Sequence, residues 1–407
     1  MGRDRADVAH ICRTDAGVTR IAGEWLTRLP AQKVCAMLDG AGYQALFVGG
    51  CVRNTLLDAP VSDLDLSTDA HPETVIDLAG RAGLKAIPTG IDHGTVTVVH
   101  DGEPIEITTF RKDIETDGRR AVVAFADTVD DDARRRDFTM NALYARIDGT
   151  LIDPLGGLPD LQARRVRFIG SAARRIQEDY LRSLRYFRFH AWYGDAAQGM
   201  DPDALDAIAN HLDGLDTLSR ERVGAETLKL LSAPDPAPAV AAMRMTGALM
   251  HVLPGADDRA LAPLVHLEQT HGFAPDPIRR LAALGDADLM DTLRLSRAKR
   301  DRCTGLRDSA TAGQSGAELG YRLGCEAGRD VILLRAALME QPLGADELAQ
   351  VDIGAAAEFP ISARDLMPMH KGAALGNQLK KLEQSWISSG FTLTRAALLE
   401  ISRAQEG

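Results

Sequence analysis

The sequence predicts an α+β chain, with a mixed-sheet N-terminal domain followed by all-α regions. Three observations predict it. Short β-like runs alternate with helical stretches over the first third of the 407 residues. Strands fade after "IDPLGGLPDL". From about residue 160 the pattern is helical and rich in Arg, Leu and Ala. The expected organisation is a first domain over 23–150, a helical segment over 151–231 and helical regions over 232–407, with the Pro/Ala stretch "SAPDPAPAV" at 232–240 as a boundary.

The elements follow in order. "ALFVG" reads as a strand and "CVRNTLL" as the helix after it, with Gly49-Gly50 between them. "DLDLST" is again β-like. Residues 72–83 open with Pro and end with Gly, the usual punctuation of a helix. "TVTVVH" and "PIEITTF" read as two strands joined by a turn at Asp101-Gly102. Beyond them, "DFTMNALY" has a helical pattern for which Asp137 is a candidate N-cap.

Composition bounds the class. Apolar residues make up 45% and charged residues 26%, as in a globular protein. No apolar run approaches the ~20 residues of a membrane span. The first residues, "MGRDRADVAHICRTDAG", lack the apolar core of a signal peptide, so the chain reads as cytoplasmic. Cys12, Cys35, Cys51, Cys303 and Cys325 are odd in number and form no C-x-x-C pair. They are expected to be buried or half-buried free thiols, not disulfides or zinc ligands. The net charge of −11 is the wrong sign for a chain that coats itself in nucleic acid. Residues 161–190 nevertheless hold eight arginines against one Glu and one Asp, so a local basic face is available.

Two groups of residues carry chemistry. Backbone without Cβ at Gly49 and Gly50 can approach a phosphate closely, and Arg53 in the next helical turn can meet that phosphate with a planar fork. An ordinary tight turn is the alternative. Asp63 and Asp65 alternate along a β-like run and so leave one face together. Close like charges raise one pKa, and a divalent cation removes the conflict. Oxygen ligands suit Mg2+, which takes one or two carboxylates plus substrate phosphates. A solvated D-x-D turn is the alternative here. Glu106, on the strand "PIEITTF", is either a third carboxylate of a two-metal site or an exposed sheet position. His266 and His271 lack matched carboxylates and read as surface or packing residues.

With "GGCVRN…DLDLST" followed by "RRRDFTMNALY", "EDYLRSLRYFRF" and "ERVGAETLKLL", the chain resembles the tRNA nucleotidyltransferase / poly(A) polymerase family, and within it the bacterial-type CCA-adding enzymes. The match spans roughly residues 45–231, and four ordered motifs are far more specific than any one. The resemblance implies a polymerase-β-like catalytic head over 23–150, a neck over 151–231, and a body and tail that bind tRNA. It implies template-independent addition of CMP and AMP from CTP and ATP to the tRNA 3′ end, with Mg2+. Asp63 and Asp65 match the family's metal ligands. Gly50, Arg53 and Arg136 match its triphosphate and nucleotide contacts, and Asp179, Arg182, Arg185 and Arg188 its base-selecting residues. Asp137 and Asn141 would orient an arginine, a loop or the ribose. Glu221 and Arg222 match its last neck motif, where a supporting role is expected. Two positions depart from the pattern: Asn54 stands where Asp is usual, and Asp58 where Gly is usual. No protein partner is evident. Poly(A) polymerase, A-only or CC-only addition, and a non-catalytic RNA- or nucleotide-binding protein are the competing readings.

An Asp–Arg pair has a reason to choose C and A. A carboxylate only accepts hydrogen bonds and a guanidinium only donates. Cytosine and adenine both present an exocyclic amino donor beside a ring-nitrogen acceptor, and guanine and uracil reverse that order. A helix-surface salt bridge between Asp179 and Arg182 is the alternative. Tyr186, Phe187 and Phe189 could stack on a base, but core packing of the neck is the expected role.

Overall fold

The computed structural model describes residues 11–13, 19–117, 120–285, 291–367 and 370–404. It divides into two compact units. The first runs to Glu226 and takes back Ala242–His251. The second comprises Thr227–Ala241 and Val252 onwards.

The first unit is built on a seven-stranded mixed sheet. Its strands are β3 (Leu46–Val48), β4 (Asp65–Thr68), β5 (Lys85–Gly90), β6 (Thr95–His100), β7 (Glu103–Thr109), β10 (Tyr144–Ala145) and β11 (Leu151–Ile152), in the order β11-β10-β3-β4-β7-β6-β5. A two-stranded ribbon, β1 (Ile11–Arg13) with β2 (Thr19–Ile21), precedes it, and a hairpin of β8 (Arg111–Asp117) and β9 (Arg120–Phe125) follows β7. β3 is apolar at every position and wholly buried, which explains its continuous rather than alternating pattern. The β6–β7 hairpin turns on Asp101 and Gly102, with φ of 51° and 82°. Two left-handed residues make the turn whose twist matches the flanking strands. β4 and β7 pair in parallel, and their register sets Asp65 opposite Glu106.

The helices of this unit follow the punctuation in the sequence. α1 (Glu24–Thr27) and α2 (Leu29–Gly40) precede β3, and α3 (Gly50–Leu56) starts directly after it. α4 (Pro72–Arg81) opens on its proline and stops before Gly83, whose φ is 70°. The Leu84 N–H then reaches back to the Ala79 carbonyl at 2.8 Å, a Schellman-type stop. Asp179 and Arg182, spaced for one helix face, do not share a helix. One helix, Ala172–Glu178, ends at Asp179, whose backbone is extended, and the next, Leu181–Tyr193, begins two residues later. "DFTMNALY" departs from its helical pattern: only the single 3-10 turn Thr139–Asn141 forms, and its N-cap is Phe138 rather than Asp137. The Asp137 carboxylate turns inward instead.

Tyr186, Phe187 and Phe189 are core residues, each at most 3% exposed. Phe138 packs against Phe189 at 4.9 Å and Phe168 stacks on Tyr186 at 5.5 Å. This aromatic cluster fixes the helix Leu181–Tyr193 against the segment that carries Asp137.

The second unit is helical throughout its described residues. Arg279 and Arg280 are buried in it, paired with Glu268 and, for Arg279, Asp330. The helices Gly316–Leu338 and Glu347–Ala355 touch backbone to backbone. A Cβ at Gly320 would lie 1.9 Å from the Val351 carbonyl oxygen, so only glycine permits this approach. Of the cysteines with described side chains, Cys35, Cys51 and Cys303 are buried free thiols, whereas Cys325 is exposed. Cys12 lies outside the residues whose side chains are described. His266 and His271 are both exposed.

Candidate active site

The turn between β3 and α3 is closed by Gly49, with φ 74° and ψ −121°, a conformation open essentially to glycine. A Cβ at Gly49 would sit 3.9 Å from Arg136 Nη1, and one at Gly50 would sit 3.9 Å from Arg53 Nη2. The bare backbone of the turn therefore lies against two guanidinium groups contributed by segments far apart in the chain.

Arg53 is 7% exposed. Its Nε and Nη2 donate to Asn54 Oδ1 at 3.2 and 3.0 Å, Nη1 to Asn141 Oδ1 at 2.6 Å, and Nη2 also to the Tyr193 hydroxyl at 2.9 Å. Burial lowers its pKa. Arg136 is held differently. Its Nη2 lies 2.9 Å from Asp132 Oδ2, with Ser67 and the Tyr144 hydroxyl completing the cage. Burial works against the charge of Arg136, but the carboxylate of Asp132 outweighs it and raises the pKa. Asp132 itself is fully buried, and Arg136 and Arg135 overcome its desolvation to hold it ionised well below the usual carboxylate range.

The three candidate carboxylates lie on or just before β4 and β7, two interior strands of the sheet. Asp65 is the first residue of β4 and half-buried; Asp63 precedes the strand, is exposed, and accepts from Ser62 Oγ at 3.0 Å. Glu106 faces Asp65 across the parallel pair. Burial, then the charge of Glu106, and more weakly that of Asp63, push the Asp65 pKa up to about 6. Arg136 and Arg53 oppose that rise without cancelling it, and a bound cation would relieve the remaining conflict between the carboxylates. Among the described residues, no three His, Cys, Asp and Glu side chains form a metal cage. A cation here would take the rest of its coordination from substrate phosphate and water, as magnesium does.

The remaining candidates line the neighbouring helices. Asp137 Oδ2 accepts from Arg185 Nη2 at 2.6 Å, and its Oδ1 from the Phe138 N–H and the Asn141 amide, both at 2.9 Å. Asn141 thus bridges Asp137 to Arg53. Asp179 accepts from the Leu181 N–H at 3.1 Å just before the following helix, and its other oxygen accepts from Arg222 at 2.6 Å. Arg182 is bound to Glu178 and to the carbonyls of Arg175 and Arg135, at 3.1 and 3.0 Å, so it forms no pair with Asp179. Arg188 pairs with the buried Glu226 at 2.6 Å.

Arranged this way, the site sets carboxylates beside a glycine turn flanked by arginines, the constituents of a metal-assisted phosphoryl-transfer centre. Two family models match the chain: the poly A polymerase head domain over residues 45–167, and the "Probable RNA and SrmB- binding site of polymerase A" over 199–259. A human protein, mitochondrial CCA tRNA nucleotidyltransferase 1, is 32% identical over 386 residues, covering 88% of this chain and 86% of its own length. The chain belongs to the tRNA nucleotidyltransferase / poly(A) polymerase family. A CCA-adding enzyme of Geobacillus stearothermophilus is 42% identical over 224 residues, 54% of each chain. The crystal structure of a Bacillus stearothermophilus CCA-adding enzyme in complex with CTP superposes with a TM-score of 0.69 at 27% identity, covering 93% of this chain and 99% of the other.

Sequence reading missed several members of the site: Asp132, Tyr144, Glu178, Tyr193 and Glu226. Asp132 was open to discovery, since it lies four residues before Arg136, in a helix that ends at Arg134. Tyr193 meets Arg53 across 140 residues, and no local pattern signals such a contact. For a member of the nucleotidyltransferase family, the Asn54 departure is answered by geometry: the amide oxygen takes the position of a carboxylate oxygen against Arg53. Asp58, where this family usually has Gly, adopts φ 54°.

Proposed function

We propose that the chain is a CCA-adding tRNA nucleotidyltransferase, which transfers CMP and AMP from CTP and ATP to the tRNA 3′ end and releases pyrophosphate. The observation that carries this reading is the juxtaposition of the Gly49-Gly50 turn and its two guanidiniums with Asp63 and Asp65. Magnesium, held by these aspartates with Glu106 beside them, would lower the pKa of the 3′-hydroxyl and screen the triphosphate.

The chain's own residues supply the rest. Gly49 and Gly50 let backbone approach the triphosphate, and Arg53 and Arg136 oppose the charge that gathers on the leaving pyrophosphate. Asp137 and Asn141 hold Arg185 and Arg53 in place. Asp179, just before the helix Leu181–Tyr193, and Arg182, Arg185 and Arg188 on it form the base-selecting group, with residues 23–150 as the head, 151–231 as the neck, and 232–407 as a tRNA-binding body and tail. Asp179 would read the exocyclic amino group of C or A. Its present contact with Arg222 must then yield to the base. The cytoplasmic reading of the sequence belongs to the same proposal. No described helix is long and apolar enough to cross a membrane.

The test is pyrophosphate release from a tRNA lacking its last three nucleotides, with CTP, ATP and magnesium. Release is expected to require the tRNA and to vanish in Asp63→Ala and Asp65→Ala while tRNA binding persists. Undiminished release from either variant would overturn the assignment.

A further inference from the structure

Four of the five arginines in the site face a carboxylate: Arg136 faces Asp132, Arg182 faces Glu178, Arg185 faces Asp137 and Arg188 faces Glu226. Arg53 differs. Its side-chain hydrogen bonds go to Asn54, Asn141 and Tyr193, all of them neutral. The Asp137 charge lies near enough to favour the Arg53 cation, but both Asp137 oxygens are committed to Arg185, Asn141 and the Phe138 N–H. A second cation, Arg188, opposes the Arg53 charge. A cation nine-tenths buried without a direct anionic partner is costly unless something supplies the countercharge.

Asn54 is the residue that leaves the charge free. Its Oδ1 accepts twice from Arg53, while its Nδ2 donates to the Pro60 carbonyl at 2.7 Å. The Ala59 N–H returns to the Asn54 carbonyl at 2.8 Å. One amide therefore fixes the guanidinium plane and also ties helix α3 to the loop that leads to Asp63. A carboxylate could hold Arg53 but would cancel its charge, and it could not donate to Pro60.

We propose that Asn54 is a positioning residue: a neutral clip that orients Arg53 and keeps its positive charge for a phosphate group of the incoming nucleotide. The inference rests on the triphosphate-site reading above. It identifies the phosphate as the missing anionic partner of Arg53. It also predicts that restoring a carboxylate at this position weakens nucleotide binding.

The experiment compares Asn54→Asp and Asn54→Ala with the original chain. Binding of inorganic tripolyphosphate is followed by calorimetry over a series of salt concentrations, and KM and kcat are measured for ATP and CTP. In Asn54→Asp, tripolyphosphate affinity should fall about tenfold, KM should rise by a similar factor, and the salt dependence should flatten, because one charge contact is lost. Asn54→Ala leaves the charge but removes the clip, so it should bind tripolyphosphate more tightly than Asn54→Asp while losing more in kcat. A purely structural clip predicts the reverse order of binding, since alanine deletes the bonds to Arg53 and to Pro60 and aspartate only the one to Pro60. That reverse order, or equal affinity of Asn54→Asp and the original chain, would overturn the proposal. The two readings separate cleanly. If the original chain binds tripolyphosphate in the predicted order yet extends no tRNA, the functional reading fails and the role of Asn54 stands.

Discussion

Arg185 closes on Asp137, with Nη2 2.6 Å and Nε 2.8 Å from the same carboxylate oxygen, and so joins the base-selecting helix to a segment 48 residues earlier. Burial alone would raise the Asp137 pKa. The Arg185 charge and the Asn141 amide outweigh burial and bring it down to about 2. A folded-state pKa below the unfolded one gives stability that is present above about pH 4 and lost as pH falls toward 2. We expect Asp137→Asn to cost about 2 kcal/mol at pH 7 and progressively less between pH 4 and 2.5. Urea denaturation of both chains across that range checks it; a difference that does not change with pH would contradict the ion-pair account.

Asp179 is available to a base only by leaving Arg222. We expect Asp179→Ala to narrow the preference for C and A over G and U by about tenfold, the order of one unsatisfied polar group. The measurement is kcat/KM for each of the four triphosphates. A variant as strict as the original would remove Asp179 from base selection.

Glu226 is buried against Arg188, and truncating one member of such a pair strands the other. Glu226→Ala should cost about 3–5 kcal/mol in denaturant unfolding. A loss below about 1 kcal/mol would show a pair no stronger than a surface ion pair.

Two backbone positions around α3 should respond with opposite sign. Asp58 occupies left-handed space without being glycine, so Asp58→Gly should stabilise the chain by about 1 kcal/mol. Gly49→Ala forces a Cβ into a glycine-only conformation and should cost about 1–3 kcal/mol while weakening triphosphate binding. Thermal melts of the two variants and their KM for ATP distinguish the effects.

Much of this was legible in the sequence because local signals carried it. The Asp101-Gly102 turn, the Pro72 start, the buried run of β3 and the glycine turn all depend on residues close together in the chain. The misread elements share a cause. "DFTMNALY" has helical periodicity, but Asp137 bonds inward to Arg185 and Asn141, and only a 3-10 turn forms. Asp179 and Arg182 have helical spacing, yet Asp179 lies in the break between two helices and answers to Arg222 instead. Contacts such as Arg53 with Tyr193 or Arg188 with Glu226 are made only once distant segments meet, so tertiary pairing overrides the local pattern there.

A CCA-adding site would add a defined, short sequence to tRNA. The most direct measurement incubates a tRNA lacking its last three nucleotides with each triphosphate singly and with all four together, then sizes and sequences the products. Extension by CMP, CMP and AMP is expected, stopping at three nucleotides in the mixture. A long A tract, addition limited to A or to C, or incorporation of G or U in the mixture would contradict it.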